Sequence, residues 1–310
     1  MKVTPLILSF LLISATHLRA QYYFYDNDHY DKPFLFEIGG SLGIMNCLSD
    51  LGGHKGIGKK LIKDINMENS QLCGSIFLSG TYQDIIALRL EGTFGQVKAC
   101  DSILKKVASS TYGRYERNLS FSSPVSEIML AAEIYPFSIF HKTDDEKEAP
   151  LFYPYILTGI GFYHFNPQAR LINNRIDLQP LHTEGEGFSE YPGRQNYKLN
   201  QFNIPLGIGI KYELSGTLNI RAEFVYRILQ TDYLDDVSQT DYIDPSLFAK
   251  YLSGLNLKNA LLLYDRRAEL HPATLGPAQR GNPANNDAYF TCNLKIGLVL
   301  GRQPIRAKRK

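Results

Sequence analysis

Charged side chains recur in this chain at alternate positions of otherwise apolar stretches, and any chemistry would have to start from them. Glu37, Arg89, Glu91, Glu133, Lys211, Arg221, Glu223, Arg227 and Lys295 share their parity with glycines and small polar residues, whereas their sequence neighbours are Ile, Leu, Phe and Tyr. On strands, one parity means one face. Turned into a narrow space, such charges must pair, because an unpaired buried charge is costly. We read the set as a closed, ion-paired plug. The functional alternative is a small gated pore lined by the same groups.

A second constellation is acidic. Thr231-Asp232-Tyr233-Leu234-Asp235-Asp236 is followed by Asp241 and Asp244. Calcium favours gathered carboxylate oxygens, so Asp232, Asp235 and Asp236 are the metal candidates. Their spacing is not that of an EF-hand loop, and a polar cap on a strand end is the plainer expectation. For hydrolysis, His164, His182 and Ser189 could be assembled on paper with Glu184 or Glu186. The chain has no GxSxG, HExxH or P-loop, and seven His spread over 310 residues supply such a trio by chance. No catalytic residue and no cofactor site is assigned. Cys47, Cys73, Cys100 and Cys292 lack CxxC or zinc-ligand spacing. Export makes disulfides possible, though the even count decides little; Cys47 and Cys100 fall in loops on the same side, and a bridge between them is one arrangement open to the chain.

The elements that must position these residues are strands. Eight segments, near 34–46, 71–80, 84–97, 125–137, 151–165, 199–213, 217–231 and 287–301, alternate apolar and polar residues at period two. The sixth is the clearest: Phe202, Ile204, Leu206, Ile208, Ile210 and Tyr212 share a face opposite Gln201, Asn203, Gly207, Gly209 and Lys211. The fifth is the least regular, because Pro154, Gly159 and Gly161 blur its parity. No later stretch is long and apolar enough for a spanning helix, which takes about 18 or more such residues.

Alternation alone does not say which face points outward. The apolar faces carry far more bulk than an eight-strand interior holds. The runs also reach roughly 13 residues, where soluble strands average about 5–6 and a strand crossing lipid needs about 9–11. The apolar face therefore belongs outside. Loop lengths agree: long loops near 47–70, 98–124, 166–198 and 232–286 alternate with inner turns near 81–83, 138–150 and 214–216, the pattern of outer-membrane barrels. The expected fold is all-β, an eight-stranded antiparallel transmembrane β-barrel with long external loops. Tyr135, Phe137, Tyr163, Phe165, Tyr212 and Tyr289 near strand ends suggest an interfacial aromatic belt. In the last long loop, Asp244-Pro245 predicts a helix start, with Phe248, Leu252 and Leu261-Leu262-Leu263 as its apolar contacts.

Residues 1–20 read as a secretory signal peptide. Lys2 supplies the basic start, residues 6–13 (LILSFLLI) the apolar run, and Leu18-Arg19-Ala20 a cleavage site before Gln21. The expected organisation is signal 1–20, barrel 21–301 and a basic periplasmic tail 302–310, with a charged inner turn at 142–148. The net charge of +2 argues against a nucleic-acid partner. Outer-membrane lipid is the expected surrounding.

Five stretches add a family likeness. EIGGSLGIMNCLSDL from Glu37, YPYILTGIGFYHFNPQA at 153–169, LQPLHTEGEG at 178–187, TDYLDDVS at 231–238 and QRGNPANNDAYF at 279–290 together resemble the PorG-like family of outer-membrane barrels of the Bacteroidota, over nearly all of the mature chain. The resemblance implies a barrel without catalytic residues or cofactors. It further implies a structural role in the type IX secretion system, in contact with a periplasmic secretion-ring lipoprotein. The expected function is thus a non-enzymatic outer-membrane scaffold. Its rivals are a narrow pore for ions or small solutes and, more remotely, a barrel enzyme acting on lipid A.

Overall fold

The computed structural model describes residues 33–52, 67–106, 112–141, 152–270 and 278–300. The signal segment 1–20, the charged turn 142–148 and the tail 302–310 expected from the sequence lie outside them. Ten strands share one sheet: β1 (Phe34–Leu48), β2 (Gln71–Tyr82), β3 (Ile86–Cys100), β4 (Ser120–Ile134), β5 (Phe152–Phe165), β6 (Gln168–Leu171), β7 (Asn174–Asp177), β8 (Asn200–Ser215), β9 (Leu218–Leu229) and β10 (Ala288–Leu300). Their order is β3-β2-β1-β10-β9-β8-β5-β4-β6-β7, and β3 also pairs with β4. That last pairing closes eight antiparallel strands into a barrel. β6 and β7 are a small hairpin attached to β4 through the single pair Ser122↔Gln168.

Burial follows parity along the barrel strands, except at the loop-side ends of β1 and β10, where Asn46, Ala288 and Phe290 are buried as well. Leu42, Leu72, Ile76, Ile128 and Ile208 stand exposed on the outer face, while Glu37, Ser75, Glu91, Met129 and Asn203 are buried within. The structure corrects the reading of β5 as irregular. Its odd positions from Tyr153 to Phe165 turn inward throughout, apart from a half-buried Gly159. Pro154 points outward, where a ring costs no interior space, and the glycines sit where a side chain would collide with β4 or with Asn203 and Glu127.

Two further expectations are overturned by the same alternation. Of the six residues proposed for an aromatic belt, Tyr135, Tyr163, Phe165 and Tyr289 are buried, because each shares the parity of the inward charges. Only Phe137 and Tyr212 remain outside, Tyr212 tilted against Phe152 with ring centroids 4.8 Å apart. Similarly, Cys47 and Cys100 cannot bridge. Cys47 faces inward with Glu37, whereas Cys100 lies on the opposite parity from Arg89, and β2 separates their strands. All four cysteines are free thiols.

The turn between β2 and β3 has positive φ at Gln83 (50°) and Asp84 (54°), the twist a tight hairpin demands. Inside the barrel the tightest fit is at Gly297, where an added Cβ would overlap the Glu37 carboxylate. Gly297→Val is expected to cost roughly 1–3 kcal/mol by overpacking, read as a lower urea midpoint in detergent micelles. An unchanged midpoint would show that Glu37 can move.

Candidate functional site: the ion-paired lumen and its cap

Five strands bring the predicted charges together across the barrel axis. From β9, the Arg221 guanidinium contacts Glu37 of β1 at 2.5 Å and Glu133 of β4 at 2.9 Å. Asn219 also donates to Glu37, at 3.1 Å, and the Tyr135 hydroxyl to Glu133. Arg89 of β3 reaches Glu133 at 3.0 Å, Glu223 at 2.7 Å and Glu91 at 3.2 Å. These are close ion pairs whose angles depart from hydrogen-bond alignment. Lys295 of β10 then joins Glu91 at 2.5 Å and Glu223 at 2.9 Å. Ser75 and Tyr155 donate to Glu91 and Glu223, at 2.5 and 2.7 Å. One continuous chain of charge therefore runs through Glu37, Arg221, Glu133, Arg89, Glu223, Lys295 and Glu91, all of them buried.

The other two predicted residues lie apart from that chain. Lys211 sits toward the short turns, 3.7 Å from Asp84 and over the rings of Tyr135 and Tyr153. Arg227 lies nearer the long loops and pairs at 3.0 Å with Glu127, which also accepts from Asn203 at 2.8 Å. Glu127 was not singled out from the sequence, although it shares the parity of Glu133 on β4.

The long loops close over this end. Arg117, in the second, binds Asp101 at 2.8 Å and donates to the carbonyl of Asp50 in the first, at 2.7 Å, and to that of Arg280 in the fourth. Arg280 in turn binds Glu184 of the third loop at 2.9 Å and donates to Thr183 at 2.8 Å. Two buried arginines thus tie four loops. Around them pack Phe165, Leu181, Phe188, Leu234, Ile243 and Phe248, with Phe188 stacked on Tyr251 at 4.0 Å and Tyr197 on Tyr233 at 4.8 Å. The helical segment read from Asp244-Pro245 belongs to this cap. The Asp244 carboxylate accepts from Ser246 N at 2.9 Å, and the helix Gly254–Leu263 follows.

The proposed metal candidates do not converge. Asp235 accepts the backbone amides of Leu51 and Val237 at 3.2 and 2.9 Å, and Asp236 accepts the hydroxyls of Thr183 and Tyr197, both at 2.6 Å. Asp232 is buried, with the Ser238 side chain beside it out of hydrogen-bond alignment. Among the described residues, no three acidic, His or Cys side chains gather as a metal would require. Close in sequence, Asp235 turns toward the first loop and Asp236 toward the third. The paper triad is likewise dispersed. His164 bonds Asn200 on the outer wall at 2.8 Å, and Ser189 bonds Tyr251 at 2.6 Å.

Cap electrostatics are set by burial. Desolvation pushes Asp232 up to about 9, with Asp235 and Asp50 adding repulsion. It likewise raises Asp235 to about 8 and Glu184 to about 7, the latter despite Arg280. Glu186 and Asp287 are driven well above the usual carboxylate range.

A closed antiparallel barrel with apolar side chains outside and charge within is a transmembrane β-barrel, the class that outer membranes hold. No family model and no curated protein matches the chain. Among solved structures, Neisserial surface protein A is similar at 8% identity and a TM-score of 0.39, over 85% of this chain and 96% of that one. The outer membrane protein OprG of Pseudomonas aeruginosa gives 11% and 0.37, over 86% and 95%. The outer membrane protein AlkL, solved in lipid bilayers, gives 10% and 0.35, over 93% and 97%. At such values the class rests on this chain's own closure and burial pattern.

Proposed function

We propose that this chain is an outer-membrane barrel serving as a closed, non-enzymatic scaffold that anchors envelope machinery. The observation that carries the reading is the ion-paired chain from Glu37 to Glu91, which spans the lumen and leaves each buried charge a partner. A conducting path would need those pairs separated and hydrated. The likeness of five sequence stretches to PorG-like barrels supports type IX secretion as the machinery, with a periplasmic ring lipoprotein as partner.

The test has two readings on the full chain. In planar bilayers no steady conductance is expected; a stable open level would overturn the closed scaffold and favour the pore. Affinity capture from detergent extracts is expected to recover a periplasmic lipoprotein, and repeated failure to do so would remove the anchoring role. Lipid A unchanged by His164→Ala or His182→Ala fits a scaffold, whereas altered lipid A would make the barrel an enzyme.

A further inference from the structure

The cap holds more buried acid than its cations can answer. Arg117 is committed to Asp101, and Arg280 to Glu184. That leaves Asp232, Asp235, Asp236, Asp287 and Glu186 buried without a cation in ion-pair contact among the described residues. Asp232 lies beside the Ser238 side chain without hydrogen-bond alignment, and Glu186 has one oxygen bonded to Glu184 N at 3.3 Å and the other without a partner. The Asp287 carboxylate accepts from Leu234 N at 2.8 Å.

Asp232, Asp235 and Asp287 belong to the fourth loop and Glu186 to the third. Hydrogen bonds seat that fourth loop against its neighbours: Asp235 accepts from Leu51 N of the first loop at 3.2 Å, Asp50 of the first accepts from Asn282 N at 2.5 Å, and Asp236 accepts from Thr183 of the third at 2.6 Å. Asp50 and Ser49 approach Asp232 and Asp235 from the first loop, with Asp101 and Arg117 behind them in the second and Arg114 acting on Asp50. From the third loop, Glu184 acts on Asp232, and Glu184 and Glu186 lie beside Asp236 and Arg280. His182 and Tyr197 flank them on that loop. Tyr233, Ser238 and Tyr242 belong to the fourth loop, while Cys47 of β1 and Tyr163 of β5 close the floor. An ionised pair placed here would repel through a medium of low polarity, where charges interact far more strongly than in water.

We propose that the cap is a proton-held lid, in which carboxyl groups from facing loops pack together while protonated and release the loops when they ionise, the strands staying closed beneath. The lid is a regulatory device of the fold and does not depend on the scaffold role.

The direction in pH follows from linkage. A carboxyl raised by burial holds its proton in the packed lid and returns to an ordinary value, 3.8 for Asp, once the loop opens. The packed form therefore binds more protons. Its advantage is greatest at acid pH and falls as pH climbs toward about 8 for Asp235 and about 9 for Asp232. Arg117 and Arg280 stay charged throughout and do not reverse that sign.

Amide hydrogen exchange of the full chain in detergent micelles, corrected for intrinsic rates, tests this at about pH 6 and about pH 9.5. Peptides from 178–199, 231–264 and 278–287 are expected to lose protection by about tenfold or more at the higher pH, one pKa unit being a tenfold change. Peptides within β9 and β10 are expected to stay protected. The double variant Asp232→Asn with Glu186→Gln removes two titrating groups and keeps the bonded Glu186 oxygen, so its loops are expected to respond far less. Loops equally protected at both pH values in the parent chain would overturn the lid. So would a full response in the double variant, or strands that open together with the loops.

Discussion

Arg221→Met is expected to lower the unfolding stability of the barrel by roughly 3–5 kcal/mol, the usual consequence of stripping one partner from a buried ion pair. The loss is unevenly shared. Glu133 keeps Arg89 at 3.0 Å, but Glu37 is left with Asn219 at 3.1 Å and only the more distant charge of Lys211. Its carboxylate then stands buried beside Gly297, with no room for a hydration shell. Adding Glu37→Gln should therefore recover most of the loss, since an amide needs no counter-charge. The chain has no Trp, so urea unfolding in micelles is best followed by circular dichroism, with heat-modifiable gel mobility as a second readout. A single variant as stable as the parent would mean that water already reaches Glu37. A double variant no better than the single would locate the damage in packing.

Arg280→Met is expected to act on the loops and spare the strands. The guanidinium holds Glu184, Thr183 and the carbonyls of Tyr264 and Asp236 together from the middle of the cap. Without it Glu184, Glu186 and Asp236 share a buried space with no cation bonded to them among the described residues. A local penalty of roughly 3 kcal/mol corresponds to about a hundredfold more open loop. Trypsin should then cut at exposed Lys250 and Lys258 about a hundred times faster while the core still migrates as a folded barrel. Cleavage at the parental rate would show that the apolar cluster around Phe188 and Phe248 holds the cap alone.

The barrel was legible because its rule is local. Period two marks each strand wherever a stretch such as 202–212 is long enough to show it, and loop lengths orient the whole. Where the rule ran short, so did the reading. β4 begins at Ser120 rather than near 125, because Ser120, Ser122 and Ser123 look like loop. The β6–β7 hairpin has four residues a strand, too few for a pattern to rise above the third loop. Glu127 and Tyr135 could have been found by carrying the parity of Glu133 along β4 and one step past it, and Tyr289 by carrying that of Lys295 along β10. The same step would have separated Cys47 from Cys100. Nothing comparable could have found Arg117 or Arg280. Their partners on other loops lie 67 to 163 residues away, and no periodicity links residues that meet only after the chain has closed.

That dependence on closure bears on how the molecule is assembled. Glu37 belongs to the first strand and Arg221 to the ninth, so the two meet only across the finished β1–β10 seam. A nascent, unzipped sheet leaves both wetted and soluble. A seam slipped by two residues would preserve every backbone ladder yet carry acid away from base, and only the correct register lets the interior dry out. The charges therefore proofread the final zipping, rewarding the one alignment in which the inside has nothing left to hydrate.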